Sequence, residues 1–243
     1  LRVSAFTFTW PIFSIYSVPG YCKILFALIL AMTVFPTVSR AGIPNTSLSP
    51  DIAWLAAKEV LTGLCLGFMT RLFFFAISVG GNLVATASGL ANGQLFNPSL
   101  GATTTTVEQF YGVLATLLFL SLNGHHIFLT GLAQSFELLP LSIDGTDFAL
   151  MVGRFKDTGL ILSSVVEAGI KISAPVLLAM FMLNVVMGII SRAVPQVNVL
   201  MTSMPINFLA TILIMMIAIP ALILELDHEM IAFAEQLFRF MKS

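Results

Sequence analysis

Leu117–Pro140 reads LLFLSLNGHHIFLTGLAQSFELLP, and its charge pattern decides the fold class. From Gln109 to Phe136 there is no Asp, Glu, Lys or Arg. An uncharged run of that length is what a lipid-embedded helix requires, because bilayer depth penalises ionised side chains. Yet Asn123-Gly124-His125-His126 sits in its middle. Four polar or flexible residues at membrane depth need partners to offset their cost. This knot is therefore expected to face protein or water rather than lipid.

The same bias runs outward along the whole chain. Of its 243 residues, 58% are hydrophobic and only 9% are charged, against about 25% charged in a soluble domain. Such a composition cannot build a water-facing surface, so the chain belongs in a membrane or a largely buried assembly. A formal net charge of −1 leaves no basic stripe for nucleic acid. Cys22 and Cys65 lie in apolar runs without C-x-x-C spacing and read as buried free thiols. No A-x-A-like site follows the apolar run Val3–Val18, and another apolar run comes directly after it. That first run is read as belonging to the fold and not as a signal peptide.

Six apolar runs predict an all-α integral membrane-type protein of about six long, bent helices arranged as hairpins. Val3–Val18 and Ile24–Val38 are short for a span of about 20 residues and are expected to pair with Pro19-Gly20 at their turn. Ser49-Pro50-Asp51 reads as a helix start, with Ser as N-cap, Pro in the first turn and an acid at the positive dipole end. The third run, Ile52 to about Ala87, is too long for one simple span. It holds Lys58, Glu59 and Arg71, and a bend is expected at Gly80-Gly81. No charge occurs from Leu72 to Val107, and within that interval Gly89–Thr106 is rich in Gly, Asn, Ser and Thr. Breaker-rich, uncharged backbone between two apolar helices is tolerated only when buried in protein or lining a cavity.

The fourth run, Val107–Leu139, carries the polar knot, and Pro140–Thr146 is the best internal boundary. The fifth, Asp147–Ser191, holds Pro175 and Asn184; the sixth, Val197–Leu224, holds Pro205 and Pro220 and leads into a charged, amphipathic end. Arg192 is expected in the turn between these last two helices. Loop cations do not alternate between sides, so the orientation cannot be read from them.

Several constellations bear on chemistry. Adjacent His125 and His126 point about 100° apart on a helix and seldom share an ion; the third histidine, His228, is far away, and no H-E-x-x-H pattern exists. Glu59 and Glu108 form no recognisable acid pair, and Ser121 has only chance helical spacing to the histidines. No catalytic, cofactor-binding or metal-ligating residue is assigned, and the chain reads as non-enzymatic. Asn123-Gly124 reads as a small-residue contact with Asn bonded across to a neighbouring helix, and Asn184 and Asn207 read the same way. Met201, Met204, Met215 and Met216 read as core filler, with a deformable seal as the alternative. Gly89–Thr106 is the strongest functional candidate. It carries no ionisable group, so it suits plugging a wide pore better than binding an ion. A secondary transporter would be expected to show inverted repeats, and none is visible.

Several blocks also resemble a known family. Pro11-Ile12-Phe13 and Val18-Pro19-Gly20 resemble its first hairpin, and Glu59, Gly63 and Gly67 fall on its E-x-x-x-G-x-x-x-G helix. Gly89-Leu90-Ala91 followed by Asn97-Pro98 resembles a segment that normally reads Gly-Leu-Ser and then Asp-Pro. Leu118-Phe119-Leu120 through Asn123-Gly124-His125-His126, then Ser135-Phe136 and Leu139-Pro140, is the most specific block. Ala193-Val194-Pro195-Gln196 with Asn198 resembles the turn of the last hairpin. In order and spacing, over nearly its whole length, the chain resembles the FliR family of flagellar type III export gate subunits, which shares its fold with an injectisome counterpart. Asn97 and Ala91 depart from the family pattern, so a role for charge at that loop is not carried over.

The resemblance implies a subunit of the bacterial inner membrane within the flagellar basal body, without a cofactor. It implies FliP-like, FliQ-like and FlhB-like partner subunits, and unfolded flagellar proteins as the exported substrates. A FliP-like helical region over 1–140 and a FliQ-like helical hairpin over 141–243 are expected. A pore-plugging loop is expected at Gly89, Asn92, Gln94, Phe96, Asn97, Pro98 and Gly101. Asn123, Gly124, His125 and His126 are expected as a structural knot, Glu59, Gly63 and Gly67 as helix-packing residues, and Arg192, Pro195 and Gln196 as a hairpin turn. An injectisome gate subunit and a small-solute transporter are the alternative readings.

Overall fold

A computed structural model describes residues 1–11, 13, 18–37, 50–90, 105–139, 158–194 and 199–242. Among the described residues there are seven α-helices and no strand: α1 (Arg2–Thr9), α2 (Gly20–Val34), α3 (Pro50–Ala87), α4 (Thr106–Ser121), α5 (Gly124–Leu138), α6 (Thr158–Ala193) and α7 (Val199–Lys242). Helices satisfy their own backbone hydrogen bonds, which is what apolar surroundings demand. By length and composition α3, α6 and α7 can each cross a membrane, and α4 with α5 makes a fourth candidate bent by 69°. The protein is an all-α membrane protein.

The elements differ from the sequence expectation at definable points. The run Val3–Val18 is expected to continue to Pro19-Gly20, but α1 stops at Thr9. Trp10 is extended (φ −64°, ψ 125°), as the residue before a proline is pushed out of the helical region. Pro19 is the N-cap of α2 (φ −55°, ψ 142°), so Pro19-Gly20 opens a helix. The helix α3 begins at Pro50, as the Ser49-Pro50-Asp51 signal predicts, and runs unbroken through Gly80-Gly81. The fourth run is two helices, because Asn123 takes the left-handed conformation (φ 57°). Cys22, expected to be buried, is exposed; Ala27 is the one residue buried among those of α2.

The chain forms two compact units, interleaved along the sequence. One comprises Leu1–Phe74, Phe119–Ser163 and Met230–Ser243; the other comprises Phe75–Leu118 and Ser164–Glu229. In the first, α1 packs on α2 through the rings of Phe6, Trp10 and Phe26, with Trp10 5.4 Å from Phe6 and 6.1 Å from Phe26. Its core is aromatic: Phe119 lies 5.3 Å from Phe74 and 5.6 Å from Phe128, and Phe73 lies 5.8 Å from Phe233. Ring pairs at these separations add to the burial of their large apolar area.

In the second unit, α3 and α6 approach backbone to backbone. A Cβ on Gly80 would lie 3.0 Å from the Gly169 carbonyl, and one on Gly169 would lie 2.9 Å from the Ala76 carbonyl. Small residues at such a contact let dispersion act between whole backbones, the driving force available where lipid tails already match apolar side chains. The helices α6 and α7 run antiparallel there. Lys171 meets Glu229 at 3.2 Å, while further along α6 Asn184 meets the earlier Asn207 at 3.3 Å. Pro175, Pro205 and Pro220 all sit inside these helices. Each removes one backbone donor without ending the helix, as packed membrane-type helices tolerate.

Outward faces are apolar. Leu178, Phe181 and Ile189 of α6, and Leu213, Met216 and Ile217 of α7, are each more than half exposed. Helix faces with so many exposed large apolar side chains belong against lipid or protein. In contrast, 61% of the most apolar window of α3 is buried, against 28% for α6 and for α7.

Candidate functional site

The uncharged stretch expected to plug a pore begins and ends in the second unit. Of its assigned residues Gly89 is described, whereas Asn92, Gln94, Phe96, Asn97, Pro98 and Gly101 lie outside the described residues. At its entry, the Ser88 hydroxyl donates to the Ala85 carbonyl at 2.9 Å, and the Gly89 amide donates to the Thr86 carbonyl at 3.1 Å. Gly89 has φ 74°, the left-handed geometry by which glycine ends a helix without steric cost. Asn184 of α6 then donates its amide to the Ala87 carbonyl at 3.1 Å, and Asn207 of α7 donates to the Asn184 oxygen at 3.3 Å. A terminal carbonyl of α3, which has no helical donor, is thus bonded by a chain of two side-chain amides from other helices. Both asparagines do what the sequence reading assigned them: they bond across helices.

At the exit, α4 starts with a side-chain cap. The Thr105 hydroxyl accepts the Glu108 amide at 3.2 Å, and the Thr105 carbonyl accepts the Gln109 amide at 3.0 Å. Thr105-x-x-Glu108 has capping-box spacing, but the glutamate does not fold back. Its carboxylate accepts a short hydrogen bond from the Ser78 hydroxyl of α3. Gly81 allows this approach, since a Cβ there would lie 3.0 Å from the Glu108 Cα. Both edges of the 91–104 stretch are therefore tied by polar groups to helices of one unit.

The polar knot lies in the first unit. Asn123, expected to bond across to another helix, makes no side-chain hydrogen bond among the described residues. Its contribution is its backbone, which breaks the path between α4 and α5 and still accepts the His126 amide at 2.9 Å. Gly124 is buried, and a Cβ there would lie 2.6 Å from the Met230 sulfur and 2.7 Å from the Phe119 ring. The His125 and His126 rings sit side by side, centroids 4.4 Å apart. His126 is exposed, and His125 Nδ1 is buried with no hydrogen-bond partner among the described residues.

Glu59, Gly63 and Gly67 also meet in the first unit, against α1. Arg2 is 1% exposed. Its guanidinium donates to both Glu59 carboxylate oxygens at 3.0 and 2.7 Å, to the Ser135 carbonyl at 2.6 Å and to the Leu139 carbonyl at 2.8 Å. It also stacks 4.2 Å from the centre of the Phe136 ring. A side chain on Gly63 would run into the Arg2 carbonyl, and one on Gly67 would run into Thr9. The two glycines form the surface on which α1 lies. Arg192 sits in the last turn of α6, exposed, rather than in the turn beyond it; Pro195 and Gln196 lie outside the described residues.

Sequence reasoning passed over Arg2, Ser78 and the cap at Thr105. The signals were present: an arginine directly before an apolar run, and a capping-box spacing at the end of a Thr cluster. Residues 1–232 match the family model described as "Bacterial export proteins, family 1". Similar curated proteins include one of Bacillus subtilis (strain 168) named "Flagellar biosynthetic protein FliR", 28% identical over 89% of this chain and 83% of that protein. Relatives with the same name in Aquifex aeolicus (strain VF5) and Escherichia coli (strain K12) are 27% and 26% identical, over 93% and 94% of this chain and 86% and 85% of their own lengths.

Proposed function

Because this chain belongs to the bacterial export proteins, family 1, we propose that it serves as a subunit of the flagellar type III protein export gate. In this role it contributes to the channel through which unfolded flagellar proteins cross the inner membrane. The observation that carries the reading is the family match over residues 1–232, joined by the flagellar names of its relatives. The injectisome alternative finds no comparable support among those names.

Its role is structural and gating rather than enzymatic. It acts with FliP-like and FliQ-like subunits and an FlhB-like subunit, held within the basal body. Residues 1–140 form a FliP-like region, and residues 141–243 form a FliQ-like hairpin. Residues 89–106 act as a plug, and three features support this. The stretch carries no charge to attract an ion, its entry at the end of α3 is bonded to α6 and its exit at the start of α4 to α3, and Gly89 turns the chain out of its helix. A gap of a few kcal/mol between two loop states holds the minor state at roughly 0.1–10%, enough to stay closed and open under load.

The test deletes Asn92–Gly101 and measures ion conductance of membranes carrying the assembled complex. A higher leak with assembly intact is the expected result. Unchanged conductance in a correctly assembled complex removes the plug.

A further inference from the structure

The chain of amides at the end of α3 has a fixed direction. The Ala87 carbonyl can only accept, so the Asn184 amide nitrogen faces it at 3.1 Å, and the Asn184 oxygen is left to accept from Asn207 Nδ2 at 3.3 Å. Each bond points from α7 through α6 towards α3. Asn207 Oδ1 therefore stands at the head of the chain and needs a donor. It is buried without a hydrogen-bond partner among the described residues, in a side chain whose residue is 8% exposed. Thr211, one turn further along α7, donates its hydroxyl proton to the Asn207 carbonyl at 2.6 Å instead. A buried acceptor without a donor bears the full cost of its lost hydration.

The same groups have a second arrangement that satisfies this oxygen. When the Asn184 carboxamide turns over, its nitrogen faces Asn207, and a half-turn of the Asn207 carboxamide presents Oδ1 to receive it. Asn184 is exposed, so its side chain has space to turn, and Ala87 is half-buried at the last position of α3. Two oxygens then face each other at Ala87, and the end of α3 is repelled as well as unbonded. This arrangement has one side-chain hydrogen bond fewer than the other, which makes it the minor one.

We propose that Asn184 is a two-position latch on the end of α3: its amide donates to the Ala87 carbonyl in the resting state and to Asn207 Oδ1 in the released state. The latch rests on the orphaned oxygen and on the direction of the bonds. Only its use, freeing the entry to residues 89–106, rests on the plug reading.

The test replaces Asn207 by a side chain that, once ionised, can only accept. In Asn207→Asp of the full chain in detergent, the carboxylate draws the Asn184 amide to itself. Amide hydrogen exchange at Ser88 and Gly89 is then expected to quicken by about tenfold. Lowering the pH until the introduced carboxyl is protonated returns a donor to the Asn184 oxygen, and exchange corrected for its intrinsic rate is expected to come back to within about twofold of the unaltered chain. Along α3, α6 and α7 the nearest charged residue in sequence is Arg192, beyond Asn184, and on α4 Glu108 is held by Ser78, so the reversal reports the introduced carboxyl. Asn207→Leu deletes the head of the chain without reversing it and is expected to leave exchange within about twofold. In an Asn184→Leu background, Asn207→Asp is expected to add nothing, because the turning amide is gone.

Unchanged exchange in Asn207→Asp at every pH overturns the latch. So does equal quickening in Asn207→Leu, or additive effects of Asn184→Leu and Asn207→Asp. If Asn207→Asp unfolds the α6–α7 pair, the unaltered chain carries the test: relaxation dispersion of the 15N-labelled Asn184 side-chain amide is expected to show a minor state that Asn207→Leu abolishes, and a single state overturns the latch. Failure of the plug reading is seen separately, as unchanged conductance on deleting Asn92–Gly101, and leaves the exchange results as they are.

Discussion

Arg2 and Glu59 form a buried ion pair whose energetics run one way. Arg2 is 1% and Glu59 6% exposed, so both ions are desolvated, and their attraction mainly repays that loss. Removing one partner leaves the other stranded. Arg2→Ala is expected to destabilise the first unit by about 3–5 kcal/mol, read as a loss of thermal stability in detergent. The double variant Arg2→Met with Glu59→Leu should recover most of it, because a well-packed apolar pair replaces a buried ion pair at little cost. Arg2 also holds the Ser135 and Leu139 carbonyls, so the double variant still leaves the end of α5 less fastened.

The glycines beneath α1 test a different force. Gly67→Ala must displace Thr9, and overpacking of this kind is expected to cost about 1–3 kcal/mol. Gly112→Ala is the matched control: nothing among the described residues lies within 4 Å of the added methyl. Helix propensity then dominates, and the change should stabilise by up to about 1 kcal/mol. Equal effects from the two substitutions, measured by thermal unfolding in the same detergent, would mean that close approach at Gly67 is unimportant. E-x-x-x-G-x-x-x-G was legible as a motif in the sequence, but its counterpart Arg2, 57 residues from Glu59 in sequence, was not. A pattern read along one helix does not name what lies across from it.

Among the elements, the break between α4 and α5 turns on one residue. Asn123 holds φ 57° and ψ 26°, a conformation that glycine adopts freely and β-branched residues strongly resist. Asn123→Gly should be nearly neutral, and Asn123→Val should cost about 1–2 kcal/mol, both measured by thermal unfolding in detergent. The knot was visible in the sequence as a cost inside an uncharged run. That it breaks a helix, rather than bonding across to one, shows only in the left-handed backbone of Asn123.

The end of α3 offers a second test at this scale. Asn184→Leu removes the donor to the Ala87 carbonyl and the acceptor for Asn207. Amide hydrogen exchange at Ser88 and Gly89 should then quicken by about tenfold, the equivalent of losing one net hydrogen bond of about 1 kcal/mol or slightly more. Unchanged exchange would show that the bend at Gly89 holds without α6.

For the whole molecule, the apolar outer faces of α6 and α7 require lipid, detergent or protein around them. Native mass spectrometry of the tagged chain, co-expressed with the FliP-like and FliQ-like proteins of its organism, is expected to give one large complex with a single copy of this chain. A stable lone monomer or homodimer would remove the basis for the gate. The plug deletion is informative only once that complex is in hand, since conductance belongs to the closed assembly.

The sequence by itself determined the class of the molecule. A charge content of 9% and long uncharged runs leave helices in apolar surroundings as the solution to backbone hydrogen bonding, and the start of α3 and the breaker-rich exit from it follow from local rules. Only the tertiary structure decided which polar residues meet. Arg2 reaches Glu59, Ser135 and Leu139; Glu108 reaches Ser78; and Asn207 reaches Ala87 through Asn184. The physical reason is range. Charge, propensity and capping act within a few residues along the chain, whereas desolvation of a buried polar group is offset by whichever partner packing brings within about 3 Å, however distant it is in sequence.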